Sequence, residues 1–317
     1  MTQAETRGGF VRERTDEQNH ASVAARPRPG RAVALNEPSA SVLTIDDVPH
    51  GGMTGHQRRP GKSVAEALGF GYRRWVPDAI FAHRRLALIY DAFEGNRDDL
   101  AAYLDIADEL GAVRVLDVGC GTGCLAVLLA ETGRTVIGVD PAGASLEAAK
   151  AKDRAGQITW VRGDAATVPE VDADLAVMTG NVAQVFLTDT DWAQALQGVR
   201  AALRAGGYLV FETRRPERRA WEEWAADVAP VSLDIPGIGS VEQRREVTGV
   251  RLPFVSFRYT YTFMTDGATL TSDSTLRFRS RDEVESSLLA HGYRVLDVRE
   301  AADRPGREFV FIAERTT

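Results

Sequence analysis

The chain has 317 residues, 44% of them hydrophobic and 26% charged, with a formal net charge of −7. That supplies a core for one large domain, or one domain with an insert, and gives no global attraction to nucleic acid or an anionic membrane surface. There is no run of 18 apolar residues to predict a membrane-spanning helix, and the N-terminus lacks the apolar stretch of a secretory signal, so a cytoplasmic, reduced protein is expected.

Residues 1–60 are rich in Arg, Pro, Gly, Ser and Glu and show little hydrophobic periodicity, so a disordered or weakly ordered extension is expected there. Met53 lies inside it, so the start codon is read as either Met1 or Met53. Ser63 to Leu68 reads as a short helical turn, and order is expected from about Pro77. Leu86, Ile89, Tyr90 and Phe93 recur at i, i+3, i+4 and i+7, one face of a helix. A second helix follows, with Asn96 as its cap, a stripe of Leu100, Tyr103, Leu104, Ala107 and Leu110, and Gly111 just past its end.

Val113 to Leu116 then reads as a buried strand that runs into Asp117-Val118-Gly119-Cys120-Gly121-Thr122-Gly123 and an apolar helix from Leu125. A strand, a glycine-rich turn and a helix form a cradle for a nucleotide-like cofactor, because a backbone without Cβ atoms turns sharply and approaches a ligand closely. A dinucleotide site wants Gly or Ala at the sixth position from Gly119, where Cys124 stands. The carboxylate of Asp117 disfavours a pyrophosphate and favours a cation. Cys120 and Cys124 are read as small residues packing around the turn, in preference to a metal or redox pair, and the five histidines have no metal-ligand spacing.

Further strands end in further acids. Thr135 to Val139 leads into Asp140, and Ile158 to Val161 leads into Arg162-Gly163-Asp164-Ala165. Asp174 to Met178 leads into Thr179-Gly180-Asn181, Thr188 caps a helix carrying Trp192, Leu196, Val199 and Leu203, and Gly206 to Glu212 is a fifth strand. Residues 213–280 break this rhythm, with a helix around Trp221 and Trp224 and then strands of period two. Phe257, Tyr259, Tyr261 and Phe263 share one face, and Ser240 to Val247 supplies a further strand. Asp266-Gly267 predicts a two-residue hairpin in which Thr265 pairs with Ala268 and Phe263 with Leu270. Ser280-Arg281-Asp282-Glu283 is a capping box opening a helix that ends at His291-Gly292. Two strands, Tyr293 to Val298 and Glu308 to Ala313, close the chain.

The G-x-G-x-G turn behind an acid, followed by acids at the next two strand ends, resembles the class I S-adenosylmethionine (SAM) methyltransferases, loosely those labelled trans-aconitate-methyltransferase-like. The resemblance covers roughly residues 80–317, with its specific motifs in 113–212. It implies an α/β, Rossmann-like sheet of seven strands, the last antiparallel, with an antiparallel β insert between strands 5 and 6. The parts are then residues 77–212 (N-terminal helices and cofactor core), 213–280 (a substrate lid) and 281–317 (completion of the core). It also implies SAM as methyl donor, S-adenosylhomocysteine as product and no metal. The cofactor-binding positions carried over are Tyr90, Asp117, Gly119, Gly121, Gly123, Asp140, Asp164, Ala165 and Thr179. Asp140 would accept both ribose hydroxyls, Asp164 would lie near the adenine, and Tyr90 of the segment Tyr90-Asp91-Ala92-Phe93 would cover the methionine end.

Methyl transfer from a sulfonium is an in-line displacement that needs alignment and exclusion of water more than a dedicated base. The catalytic candidates are therefore only Tyr90 and Asn181, and the substrate-side candidates are Asn181, Gln184, Arg214, Tyr259 and Tyr261, with Glu212 and Arg215 near the pocket rim. The loop after Met178 is neither of the motifs used to methylate exocyclic amines or pyrimidine C5 of nucleic acids. The expected partner is a small molecule, with no nucleic acid, no membrane and a homodimer as one arrangement. The rival readings are an RNA or protein methyltransferase, a SAM-binding protein without catalysis, and an NAD-dependent oxidoreductase.

Overall fold

The computed structural model describes residues 76–317 and the backbone of residues 43–44. The expected extension, the alternative start at Met53 and the turn at Ser63 to Leu68 otherwise lie outside the described residues.

The main sheet is built from β1 (Leu43–Thr44), β2 (Arg114–Val118), β3 (Thr135–Asp140), β4 (Thr159–Arg162), β5 (Ala173–Met178), β6 (Leu203–Arg214), β11 (Tyr293–Glu300) and β12 (Glu308–Arg315). Their order across the sheet is β1-β4-β3-β2-β5-β6-β12-β11. Strands β2 to β6 pair in parallel, whereas β12 is antiparallel to both β6 and β11. The seven strands expected from sequence are all present, and the two-residue β1 adds a short parallel edge beside β4.

Alternation along the strands sorts side chains to two helical layers. Val115, Val136, Leu175 and Val177 face a core shared with α3 (Ala101–Glu109), α4 (Cys124–Glu131) and α5 (Gly143–Lys152). Leu116, Ile137, Ala176 and Phe211 face the opposite core, with Trp192, Leu196 and Val199 of α6 (Asp189–Ala202) and Val284 and Leu288 of α8 (Arg281–Ala290). Thr188 caps α6 by accepting from Asp191 N, and Ser280 with Glu283 forms a complete capping box on α8. The chain runs outward from β2 through β3 to β4, then returns to β5 on the other side of β2. The C-terminal ends of β2 and β5 therefore flank a topological switch point, where such sheets open a crevice.

Two short helices precede the sheet, α1 (Ala79–Ala82) and α2 (Arg84–Glu94). The stripe expected on α2 is real: Leu86 and Ile89 are fully buried, with Tyr90 and Phe93 packed against the same cluster. Asn96 does not cap the next helix. Its amide donates to the Asp98 carboxylate at 2.8 Å, and α3 is entered through a 3₁₀ turn at Asp98–Leu100. The charged Asp98 acceptor holds the Asn96 side chain on the segment before the helix. Gly111, at φ 60°, does end α3 in the left-handed conformation.

Between β6 and α8 stand α7 (Ala220–Ala226) and a second, four-stranded antiparallel sheet: β7 (Val231–Ile235), β8 (Gly239–Arg251), β9 (Phe254–Phe263) and β10 (Thr269–Arg277). β7 is not anticipated from the sequence, because Val231-Ser232-Leu233-Asp234-Ile235 is short and half exposed. The aromatic face of β9 is as expected, with Tyr261 and Phe263 buried on α1 and α2. The hairpin register differs from expectation. Phe263 N donates to Ala268 O, and Leu270 pairs with Tyr261 rather than Phe263. A two-residue type I′ loop needs positive φ at both central residues, and here only Gly267 adopts it (φ 71°). Asp266 instead accepts from Ala268 N, and Gly267 N closes a four-residue loop onto Phe263 O. The slip moves every partner by two residues, so no side chain changes face.

Candidate functional site

The glycine turn is pinned to the end of β3, with Gly119 N and Cys120 N both donating to Val139 O at 2.8 and 3.1 Å. Gly123, at φ 78°, begins α4 where an added Cβ would lie 2.6 Å from the Trp160 ring and 2.8 Å from Ala149 Cβ. Gly121 is also left-handed (φ 54°), but an added Cβ there would meet nothing within 4 Å. One glycine thus serves packing, whereas the other opens onto free space at the mouth of the cradle. Gly119 is packed as tightly as Gly123, with Val182 of the loop after β5 at 2.6 Å from its missing Cβ.

Two carboxylates lie under the turn. Asp140 is buried and accepts from Gly121 N at 2.9 Å on one oxygen and from Ala142 N at 2.8 Å on the other. Each oxygen keeps a lone pair for another donor. Burial raises its pKa to about 6 against the pull of those two amides. Asp117 is 1% exposed, and neither of its oxygens has a hydrogen-bond partner. Burial, and then the charge of Asp140, raise its pKa to about 7, partly offset by Arg97 and by the Ala126 backbone N–H, which approaches without full hydrogen-bond geometry. A buried carboxylate without donors is costly, and it suits a site completed by a cation or by hydroxyl and amine donors. A phosphate would meet two negative charges here. Asp164 is less committed to the crevice: its Oδ1 accepts from Ala166 N and Thr167 Oγ1, closing a local turn, while Ala165 beside it is buried.

The two cysteines pack as expected. Cys120 Sγ lies 3.1 Å from where a Cβ on Gly138 would stand, and Cys124 Sγ lies 3.1 Å from Lys152 Nζ. Both are free thiols.

Beyond the turn, the remaining candidate residues stand on α2, the insert and the strand ends. Tyr90 packs its ring against Phe81 at 5.4 Å, and burial, then Glu94, push its hydroxyl well above the usual phenol pKa. From the insert come Tyr259 and Tyr261, in an aromatic row that runs Trp224, Phe257, Tyr259, Tyr261, Phe93. Tyr261 OH accepts from Gln243 Nε2 at 2.9 Å.

At the strand ends a buried polar network forms. Glu212 and Glu308 stand on the neighbouring strands β6 and β12, 2% and 1% exposed. Asn181 N donates to Glu212 at 3.1 Å, and Asn181 Nδ2 donates to Glu308 at 3.1 Å. Tyr103 OH donates to the second oxygen of Glu212, and Arg304 Nε lies 3.3 Å from Glu308. Burial, and then the charge of Glu308, raise the Glu212 pKa. Asn181 itself is left-handed (φ 63°), its Oδ1 is buried without a partner, and it makes no side-chain cap on the turn that follows. Thr179, two residues earlier, is half-buried at the end of β5.

The arginines are more committed than their sequence positions imply. Arg214 Nη1 donates to Gln184 Oε1 at 3.0 Å, its Nε lies 3.7 Å from Glu308, and its guanidinium sits 5.1 Å from the Trp224 ring. Arg215 turns the other way, to Glu300 and over the Phe309 ring, and so stands apart from the crevice. Glu212 lies inside the network rather than at a rim. Sequence reasoning misses Arg97, which is paired in two bonds with Asp99, lies near enough to offset the rise of the Asp117 pKa, and stands beside Tyr90 and Glu94. Its only sequence signal is the spacing Arg97-Asp98-Asp99 directly behind α2. The structure thus joins Gly121 to Asp140, sets Arg97 near both Asp117 and Tyr90, and links Asn181, Gln184 and Arg214 around Glu308.

Residues 115–207 match the family model of a methyltransferase domain. An uncharacterized methyltransferase of Anoxybacillus flavithermus (strain DSM 21510 / WK1) is 32% identical over 138 residues, 43% of this chain and 62% of its own length. A ubiquinone biosynthesis O-methyltransferase of Bradyrhizobium sp. (strain ORS 278) is 31% identical over 145 residues, 44% of this chain and 53% of its own. The chain thus spans about two fifths to three fifths of the length of these curated relatives and others like them. The solved sugar N-methyltransferase KedS8 from Streptoalloteichus sp ATCC 53650 aligns over 83% of this chain and 100% of its own, with TM-score 0.62 and 19% identity. The fold is that of the Rossmann-like class I methyltransferases. Within that fold, residues 115–207 are similar to a methyltransferase domain.

Proposed function

We propose that the protein transfers a methyl group from SAM to a small-molecule acceptor in the crevice above β2 and β5. The observation that carries this reading is the pair Asp117 and Asp140 beneath a left-handed, open Gly121, an anionic cradle with unsatisfied acceptors and no provision for phosphate. SAM, when bound, supplies an electrophilic methyl on a sulfonium. Asp140 holds the ribose hydroxyls, Asp164 and Ala165 border the adenine, and Gly119, Gly121, Gly123 and Thr179 line the backbone path. Tyr90 covers the methionine end, where an aromatic face near a cation contributes about 0.5–2 kcal/mol.

On the acceptor side, Asn181 and Gln184 shape one wall and Tyr259 and Tyr261 the other, so that the insert serves as a lid. Arg214 acts there through Gln184, being already paired with it. These groups act by orientation, which supplies about 7–11 kcal/mol of a displacement barrier when the partners are held in line. A small acceptor is favoured by the aromatic insert over the crevice and by the net charge of −7. No helix among the described residues is long and apolar enough to cross a membrane, and a cytoplasmic site of action goes with this reading.

Calorimetry with SAM, S-adenosylhomocysteine and NAD tests the cofactor. Heat is expected with the first two and not with NAD, and Asp140→Ala should weaken S-adenosylhomocysteine by about 1.5–3 kcal/mol through lost charge-assisted hydrogen bonds. Release of S-adenosylhomocysteine over a panel of carboxylic acids, amines and phenols then tests the acceptor class. Turnover only with RNA or a protein would overturn the small-molecule reading. Binding without turnover on any acceptor would leave a SAM-binding protein that is not an enzyme.

A further inference from the structure

The segment Tyr90-Asp91-Ala92-Phe93 carries an aspartate to which the cofactor chemistry gives no part. In the structure it reaches backward, into the cradle. Thr122 Oγ1, buried in the middle of the glycine turn, donates to Asp91 Oδ1 at 2.5 Å. The Lys152 ammonium, on the last turn of α5, pairs with Asp91 Oδ2, and Cys124 Sγ lies 3.4 Å from Oδ1. One side chain of α2 therefore touches the glycine turn, the first residue of α4 and the end of α5.

The same helical pair is tied to the insert. Ser274 Oγ donates to Asp78 at 2.6 Å, Ile80 N donates to Ser272 Oγ at 2.9 Å, and Arg85 makes two bonds to Asp266 in the β9–β10 loop. Ile80, Leu86 and Ile89 bury themselves against Val241, Tyr261 and Phe263 of that sheet. Helices α1 and α2 thus form a strap between insert and cradle. On the cradle side its polar attachments include the Asp91 cluster and a bond from Ser145 Oγ to Phe81 O. Tyr90 sits between these anchor points.

We propose that Asp91 is a positioning residue. It docks α2 on the glycine turn through Thr122 and Lys152, and so holds Tyr90 and the insert over the crevice. An exposed ion pair alone contributes little, and the Asp91 side chain is 41% exposed. The specific element is the bond to the buried Thr122 hydroxyl, which has one geometry and sits inside the cofactor turn. The proposal rests on the SAM reading above.

The test uses the full chain with Asp91→Ala, Asp91→Asn, Lys152→Met and the double variant Asp91→Ala/Lys152→Met. S-adenosylhomocysteine is titrated by calorimetry at 25 °C, and amide hydrogen exchange is followed over residues 84–94 and 114–118. Asp91→Ala is expected to weaken S-adenosylhomocysteine about tenfold, the equivalent of one charge-assisted hydrogen bond. Exchange should rise in 84–94 while 114–118 stay protected. Asp91→Asn keeps an acceptor for Thr122 and should recover part of the affinity. The double variant should bind as Asp91→Ala does, because Lys152 acts on the turn only through Asp91. Wild-type affinity in Asp91→Ala and Lys152→Met, even with a lower melting temperature, overturns the proposal and leaves a purely structural contact. If Asp91→Ala does not fold, Asp91→Asn and Lys152→Met decide in its place. No heat with the wild-type protein overturns the cofactor reading and this proposal together, whereas unchanged affinity in the variants overturns this proposal alone.

Discussion

Asp117 concentrates the chemistry of the site at one residue. Its carboxyl is buried without a donor, and its pKa of about 7 lies well above the ordinary carboxylate value, as does that of Asp140 at about 6. The folded state therefore holds these protons more tightly than the unfolded chain, so stability is fully present below about pH 4 and falls as pH rises through about 6 and 7. The ligand-free protein should accordingly lose melting temperature between pH 5 and pH 8 by this contribution. Asp117→Asn should flatten the slope and stabilise the protein at pH 8 relative to wild type. Thermal melts across that range check it, and an identical slope in the variant removes Asp117 as its source. That an acid stands at position 117 is plain from the sequence. That it stays short of a full hydrogen bond is not, because how closely the Ala126 N–H of α4 approaches it depends on how the helix packs on the strand.

At the scale of the element, the strand–turn–helix from β2 to α4 assigns different work to its glycines. Gly123→Ala must hold a left-handed residue, at about 1–2 kcal/mol, and also force Trp160 and Ala149 apart, at about 1–3 kcal/mol more. Gly121→Ala incurs only the first cost but places a methyl group in the open mouth of the cradle. Denaturant unfolding should therefore show the greater loss for Gly123→Ala. Calorimetry with S-adenosylhomocysteine should show a loss of affinity for Gly121→Ala out of proportion to its stability. The motif spacing announces three glycines and does not rank them; the ranking comes from Trp160, which reaches the turn from a strand two places away.

For the molecule as a whole, the junction between insert and main sheet decides the shape of the acceptor side. Arg279, 4% exposed, donates to the carbonyls of Ala183, Phe186 and Thr188, and Arg277 donates to Leu187 O while Gln184 Nε2 donates back to Arg277 O. The loop that carries Asn181 and Gln184 is thus fastened to the exit of β10. Arg279→Met leaves three carbonyls without their charged donor and should cost about 3 kcal/mol of stability. Hydrogen exchange should rise across residues 183–188 and leave the glycine turn unaffected; uniform loss of protection instead would mean that the junction is not a local fastening.

Local pattern by itself determined the parallel strands, the glycine turn, the helix caps at Thr188 and Ser280 and the aromatic face of β9. Each of these depends on residues within one turn of helix or one pleat of strand, and backbone sterics and burial act at that range. The acids at the ends of β2, β3 and β4 were legible for the same reason, and with them the class of cofactor. The tertiary structure alone decided which side chains meet: Asp91 with Thr122 and Lys152, Asn181 between Glu212 and Glu308, Arg97 near Asp117. It also decided the pairing of Asp266, in the loop after Phe263, with Arg85 of α2. Hydrogen bonds and fields between residues far apart in the chain depend on how strands and helices stack, and no local periodicity encodes them. The cofactor end of the site was therefore readable along the chain, while the acceptor end exists only in the folded molecule.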